Sequence, residues 1–524
     1  MLVFVRCLRI ALAVLPGLVA SAAPLAAQFP GAAPRPINDP VLQRLWRLGM
    51  DSSRVEPLAQ ALLDSIGPRL TASPGHRAGN DWLVAQYQAM GVAARNERYG
   101  TWRAWRRGVS HADLVAPRVR SLEGMMLAWS PGTGGKPVQA PVVVLPKAAD
   151  SAAFAAMGPQ LKGKIVLASA PQPTCRPDDN WQRWAEPGSL ERLRAQRDSI
   201  TKDFDARVRA AGVRGAALHK QLERLGAAGV ITSLWSQGWG VTKVFSTTAE
   251  KVPVFDVSCE DYGLLWRLAE RNQGPVVRLS ADAQFLGEQP VFNTIAEIKG
   301  SEKPDEYVML SAHFDSWDGG SGATDNGTGT IMALEAVRLL TQAYPRPKRT
   351  ILVGHWGGEE QGLNGSRAFV EDHPEVVRGL QALFNQDNGT GRIANVSTSG
   401  FLGAVPNYTQ WLAQLPSQLT LGLSISLPGS PAGGGSDHAA FVCAGAPGFS
   451  LGATAWNYSD YTWHTPRDTY DKVVFDDLRK NATMAAMLAY LASEDPDFTA
   501  RDKMPGLTFP ACQKAARTSD GSAR

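Results

Sequence analysis

The chain has 524 residues, a formal net charge of +4, and apolar and charged shares of 44% and 19%. That length exceeds one ordinary core, so two domains are the default, and a nearly balanced charge without any Lys/Arg block excludes nucleic acid as a partner class. Five cysteines without a C-x-x-C pair make neither a disulfide scaffold nor a thiolate zinc site.

At the N-terminus, Arg6 and Arg9 precede an apolar run over residues 10–19 and a small-residue stretch over 20–27. This pattern predicts a signal peptide over residues 1–27 and export to the periplasm or the medium. The run is shorter than the roughly 20 residues that span a bilayer, so no stable membrane anchor is expected. Cys7 precedes the run; Cys175, Cys259, Cys443 and Cys512 remain, with three possible pairings in an exported protein.

Residues 41–63 and 78–90 have helical periodicity, and the Gly- and Pro-containing stretch between them reads as a loop with His76 at the surface. Residues 95–127 are strand-like. Short β-branched runs then mark a β-rich unit over about 138–282, broken at 181–211 by a charged helical stretch. There Asp203 with Arg207 and Asp205 with Arg209 are i,i+4 pairs that favour a solvated helix. From Thr294 the pattern alternates: strands in YVMLSAHFD, TILVGHWGGEE, LQALFNQDN, FLGAV and APGFSLG, and helices over 328–341 and 476–492. Such alternation predicts an α/β fold with a mixed, mostly parallel sheet flanked by helices.

The chemistry-bearing residues sit where those strands end, which is where an open α/β sheet places its site. His313 and Asp315 are two apart, so the pleat points both to one side, and Asp315 is expected to accept a hydrogen bond from the imidazole nitrogen that a metal leaves free. Asp325, in GATDNGTGT, reads either as a helix N-cap or as a carboxylate bridging two metals. Adjacent carboxylates repel unless a cation compensates one, so Glu359 and Glu360 read as a general base beside a ligand. Asp387 in LFNQDNGTG and His464 in YTWHTPRDTYDKV complete a set of nitrogen and oxygen donors suited to two zinc ions. Ser436, Asp437 and His438 are consecutive and make no triad by sequence, and no G-x-S-x-G elbow occurs. Their Gly-rich segment reads as a wall of the substrate cleft, with Asp437 or His438 near the ligand.

HFDSWDGGSGATDNGTG, WGGEEQGLNGS, NQDNGTG and HTPRDTYDKV together resemble the co-catalytic di-zinc aminopeptidase family. That family includes secreted bacterial aminopeptidases and, with an inserted protease-associated domain, plasma glutamate carboxypeptidase-like enzymes. LKGKIVLAS, RLGAAGVITSL and VPVFDVSCEDYGLL resemble that inserted domain. The resemblance implies two Zn²⁺ per chain. His313, Asp325 and Asp387 would hold one, and Asp325, Glu360 and His464 the other, with Glu359 as base and Asp315 as partner of His313. It also implies a cis peptide after Asp325. Relatives often carry Tyr just before the final His; here Trp463 stands there, so the oxyanion role passes to Tyr458, Tyr461 or neither.

The resulting expectation is an exported zinc exopeptidase, an aminopeptidase or dipeptidase acting on peptides, with homodimerisation left open. Its division is a signal peptide at 1–27, catalytic segments at 28–137 and 291–495, an inserted protease-associated domain at 138–290, and a tail at 496–524. The competing readings are a single-zinc glutaminyl cyclase and a non-catalytic, receptor-like binding protein of the same fold.

Overall fold

The computed structural model describes residues 37–518, so the expected signal peptide lies outside the described residues. Among the described residues the strands are β1 (Ala93–Ala116), β2 (Arg120–Leu122), β3 (Gly124–Met126), β4 (Val138–Val144), β5 (Ile165–Leu167), β6 (Gly229–Thr232) and β7 (Val254–Val257). They continue as β8 (Val276–Ile298), β9 (Lys303–His313), β10 (Arg349–Trp356), β11 (Leu380–Asn385), β12 (Ile393–Ser397), β13 (Ser424–Ser426) and β14 (Gly448–Ala453). They form one path in the order β13-β12-β14-β11-β9-β10-β8-β4-β5-β6-β7-β3, with β1 paired to β8 and β2 to β1.

In the larger unit β14, β11, β9 and β10 run parallel, while β8 and β12 pair antiparallel at the flanks. Every residue of β10 and β11 is buried, as strands covered on both faces require. Their side chains alternate between two cores. Val308, Leu310, Ile351 and Val353 meet the helices Thr328–Ala343 and Phe475–Glu494 on one face. On the other, Met309, Leu352 and Leu383 meet Phe369 and Phe441.

A further core lies over β4, β5, β6 and β7, whose mutual pairings are parallel. It also draws in Trp105, Ala112 and Leu114 of β1, Leu122 and Met126, and Val277, Leu279 and Ala281 of β8. The two long strands β1 and β8 therefore pair as a ribbon that passes from one core to the other.

Local chemistry moves several expected boundaries. Ser73 caps the helix Pro74–Ala89 by accepting from the His76 N–H at 3.1 Å, with Pro74 in the first turn, so that helix starts earlier than its apolar pattern suggests. His76 is consequently on a helix and buried, stacked on Phe314, not at the surface. FLGAV is not a strand: it turns through a short 3-10 segment into the helix Val405–Gln414, whose first turn takes Pro406 without losing a hydrogen bond. The charged stretch divides into helices Asp178–Trp184 and Ser189–Ala210; Asp203 and Arg207 pair at 3.0 Å, while Leu193 and Phe204 turn inward.

The cysteines pair as Cys175–Cys259 and Cys443–Cys512. The second pair fastens a C-terminal segment that lacks helix or extended strand. Beyond it, Ala516 donates to Asn364 at 2.9 Å and Arg517 pairs with Glu371 and Asp372 at 3.0 and 2.9 Å. Among the described residues no helix is long and apolar enough to cross a membrane.

Candidate metal centre

The adjacent parallel strands β11, β9 and β10 bring their C-terminal ends together. His313 is the last residue of β9, opposite Trp356 at the end of β10, and Asn385 ends β11 two residues before Asp387. Two glycines carry the chain from Trp356 to Glu359, with Gly358 at a φ of +67° that no β-carbon-bearing residue adopts freely. Asp325 arrives on a turn leading into the helix Thr328–Ala343, and His464 on the loop after Tyr458–Thr462.

These residues form two groups that share Asp325. The Nε2 of His313 is 2.9 Å from Asp387 Oδ1 and 3.3 Å from Asp325 Oδ1. The Nε2 of His464 is 2.9 Å from Glu360 Oε2 and 3.3 Å from Asp325 Oδ2. In each group one nitrogen and two carboxylate oxygens lie within 4.8 Å of one another. Asp325 Oδ2 makes no aligned hydrogen bond, and buried Glu360 Oε1 has no partner. Converging carboxylates with orphaned oxygens need compensating charge, and one nitrogen plus two oxygens, leaving room for water, is a donor set zinc accepts. The residues fit a pair of metal ions.

The electrostatics agree. Burial opposes the charged form of His313, but Asp387, Glu359 and Asp325 draw its pKa well above the usual value. Burial likewise opposes His464, yet Glu360 and Asp325 raise it to about 9. Burial, with Asp387, Asp437 and Glu360 adding like charge, pushes the Glu359 carboxyl well above its ordinary range. Glu360 is pushed by burial and by Asp325 to about 7.

Asp315 differs from expectation. The strand ends at His313, so the pleat does not carry on, and it is the Asp315 backbone carbonyl that faces His313 Nδ1, at 2.9 Å; its carboxylate stands 3.8 Å away. That carboxylate instead accepts from the N–H groups of Glu359 and Glu360, at 3.0 and 3.3 Å, and from the Thr71 hydroxyl at 3.1 Å. The peptide bond from Asp325 to Asn326 is cis, and Asp325 does not cap the helix.

The aromatic candidates divide. Tyr458 has its hydroxyl pKa driven well up by burial and by the charges of Asp325, Asp387 and Glu360, so it belongs among the site acids. Tyr461 packs beside Gly238 of the smaller unit. Both rings, with Trp456, line a cavity of about 400 Å³. Trp463 lies flat against the His464 ring, 4.0 Å between centroids and 29° between planes. Asp437 is fully buried, and burial, with Asp387 and Asp315 nearby, pushes it to about 7 against the pull of His313 and the Ser366 hydroxyl. His438 is buried with Nδ1 unpartnered.

Two supporting residues escaped the sequence reading. Asp468 accepts from the N–H groups of Thr324 and Asp325 at 2.7 and 3.0 Å. Arg69, fully buried, donates to the carbonyls of Gly67, Phe314, Ser321 and Gly322 at 2.7–2.9 Å, fixing the loop before Asp325. Of the two, only Asp468 lies within HTPRDTYDKV, and nothing there signals a buried acid.

Paired donor groups at the C-terminal edge of an α/β sheet are the arrangement of a metal-dependent hydrolase. The sequence profile described as Peptidase family M28 matches residues 293–489. Carboxypeptidase Q of Xenopus laevis is 30% identical over 370 residues, 70% of each chain, and that of Bos taurus is 27% identical over 436 residues, 83% of this chain and 84% of the relative. A peptidase M28 precursor from Shewanella amazonensis shares the fold at a TM-score of 0.67 and 24% identity, covering 88% of this chain and 97% of its own. A zinc aminopeptidase from Bacillus subtilis does so at 0.55 and 19%, covering 87% and 98%. The chain belongs to peptidase family M28.

Proposed function

We propose that this metallo-exopeptidase is an exported, di-zinc enzyme that removes terminal residues from peptides or splits dipeptides. The observation that carries the reading is the pair of donor groups meeting at Asp325. On it, His313, Asp325 and Asp387 would hold one zinc ion, and Asp325, Glu360 and His464 the other. Zinc, when bound, supplies Lewis acidity toward a peptide carbonyl and toward water.

Glu359 is the general base: it takes a proton from the attacking water and returns it to the departing amine. Asp315 holds the Glu359 and Glu360 amides, and so keeps that carboxylate aimed. The Tyr458 hydroxyl, kept protonated by burial and then by its acidic neighbours, donates to the developing oxyanion in place of the residue at position 463. Asp437 and His438 line the substrate side of the centre. The smaller core, which resembles a protease-associated domain, is built on this reading on the inserted residues 138–290, with parts of β1 to β3 packed against them. Export rests on the signal-like residues 1–27, and similarity to carboxypeptidase Q keeps trimming from the carboxyl end within the reading.

The test is turnover of unblocked, N-blocked and C-blocked peptides by the zinc-loaded protein beside Glu359→Ala. Loss of at least ~100-fold in kcat is expected for the variant, the lower range of general-base contributions. Undiminished turnover would remove Glu359 from the mechanism. Metal analysis giving one zinc per chain would favour the cyclase reading.

A further inference from the structure

His464 holds an unfavourable backbone. Its φ is +57°, a left-handed conformation that a residue with a β-carbon keeps only where its surroundings enforce it. The turn is closed locally by the Thr465 N–H, which donates to the Thr462 carbonyl at 3.0 Å, and it is held from outside by the smaller unit. The Val244 N–H donates to the His464 carbonyl at 2.8 Å, and the Lys243 ammonium donates to the Trp463 carbonyl at 2.7 Å and the Ser459 carbonyl at 3.1 Å. The peptide groups before and after the His464 α-carbon are thus gripped by consecutive residues. Phe245, the next in line, sets its ring edge-on to the imidazole, 4.8 Å between centroids.

Lys243 is out of place for a residue serving only its own core. It is 3% exposed, and its ammonium is hydrogen-bonded to no carboxylate, only to those two carbonyls, with the Trp463 ring at 4.6 Å. Lysine is almost never fully buried without a partner. Its segment is in turn pinned: the Lys243 N–H donates to Asp256 Oδ1 at 2.9 Å, and Asp256 Oδ2 accepts from Thr232 and Leu234, both at 2.9 Å. A fixed series of groups therefore runs from β6 and β7 to the His464 backbone.

We infer that Lys243 is a positioning residue for His464, acting through the Trp463 carbonyl, so that the smaller unit completes one metal half-site. The inference rests on the proposed role of His464 as a ligand. It assigns the smaller unit a part in assembling the centre, in addition to any part in screening the cleft.

The test uses the full chain, stripped of metal and titrated with Zn²⁺ against a chromophoric chelator, in wild type, Lys243→Met, Lys243→Arg, His464→Ala and His313→Ala. Met keeps the bulk of the stem and removes the ammonium. Lys243→Met is expected to weaken the half-site lost in His464→Ala by ~10–100-fold, the usual effect of groups that orient a ligand, and to leave the half-site lost in His313→Ala unchanged. Lys243→Arg, still able to donate, should recover part of that loss. Wild type binding fewer than two ions would overturn the metal reading itself. Two ions in wild type with an unaltered Lys243→Met, or with both half-sites weakened equally, would overturn the positioning role alone. Should Lys243→Met not fold, Lys243→Gln, whose shorter stem withdraws the donor from the Trp463 carbonyl, takes its place, with the same selective weakening expected and the same outcomes decisive.

Discussion

Asp315 holds two things at once: its carbonyl faces the His313 ring and its carboxylate accepts from the Glu359 and Glu360 amides. Asp315→Asn keeps the backbone contact but loses one acceptor and the charge. We expect kcat/KM to fall by ~10–100-fold with less loss in zinc content, read by steady-state kinetics beside metal analysis. Equal loss of both would mean that the carboxylate serves the metal directly. Asp437 is the opposite case, a buried carboxylate that no backbone N–H reaches and that has only the Ser366 hydroxyl to set against its burial. Asp437→Asn, which removes the charge and adds a donor, is expected to stabilise the fold by about 1 kcal/mol in denaturant melts. A destabilised variant would mean that the carboxylate has a partner when the centre is loaded.

Among elements, the strands ending in His313, Trp356 and Asn385 were legible because a strand buried on both faces writes itself as a short apolar run, and the acids after it stand out. His313, Glu360 and Asp387 were legible for the same reason, as polar residues at or just past strand ends, whereas Asp325 and His464 stood out only within motifs that resemble the family's. Lys243, Asp468 and Arg69 were not legible. Their partners lie far along the chain, 220 positions away for Lys243 and Trp463 and 245 for Arg69 and Phe314, and no local periodicity encodes such a contact. FLGAV misled because five apolar or small residues fit a strand as well as a helix entry, and only Pro406 decides between them. His76 misled because a Ser-Pro cap, not a loop, precedes it. The loop carrying Asp325 gives this scale its prediction. Arg69→Met strands four carbonyl acceptors and should destabilise the chain by about 3 kcal/mol or more, with zinc content falling alongside. Intact metal content in a destabilised variant would separate the loop from the centre.

Across the whole molecule, burial depresses His76 and His355 to about 3 and His219 to about 4, from an ordinary 6.5. Their folded pKa values lie below the unfolded ones, so the unfolded chain binds more protons as the pH drops below about 6.5, and stability falls from there toward about 3. His219→Gln, which keeps a polar contact to the Thr247 hydroxyl, should flatten part of that slope in melts taken across the window. An unchanged slope would clear His219 of a share in acid sensitivity.

The β1–β8 ribbon has a consequence in time as well as in space. β1 is finished at Ala116, but its partner does not begin until Val276, and the pairing then runs nearly the length of both strands. During synthesis β1 has only the short β2 to pair with while the intervening strands emerge, and neither core can close before β8 arrives. The order of manufacture thus leaves a long, unpaired edge open for much of translation, a period in which such edges join other chains. The same delay would keep the chain threadable through a narrow pore until late in its synthesis.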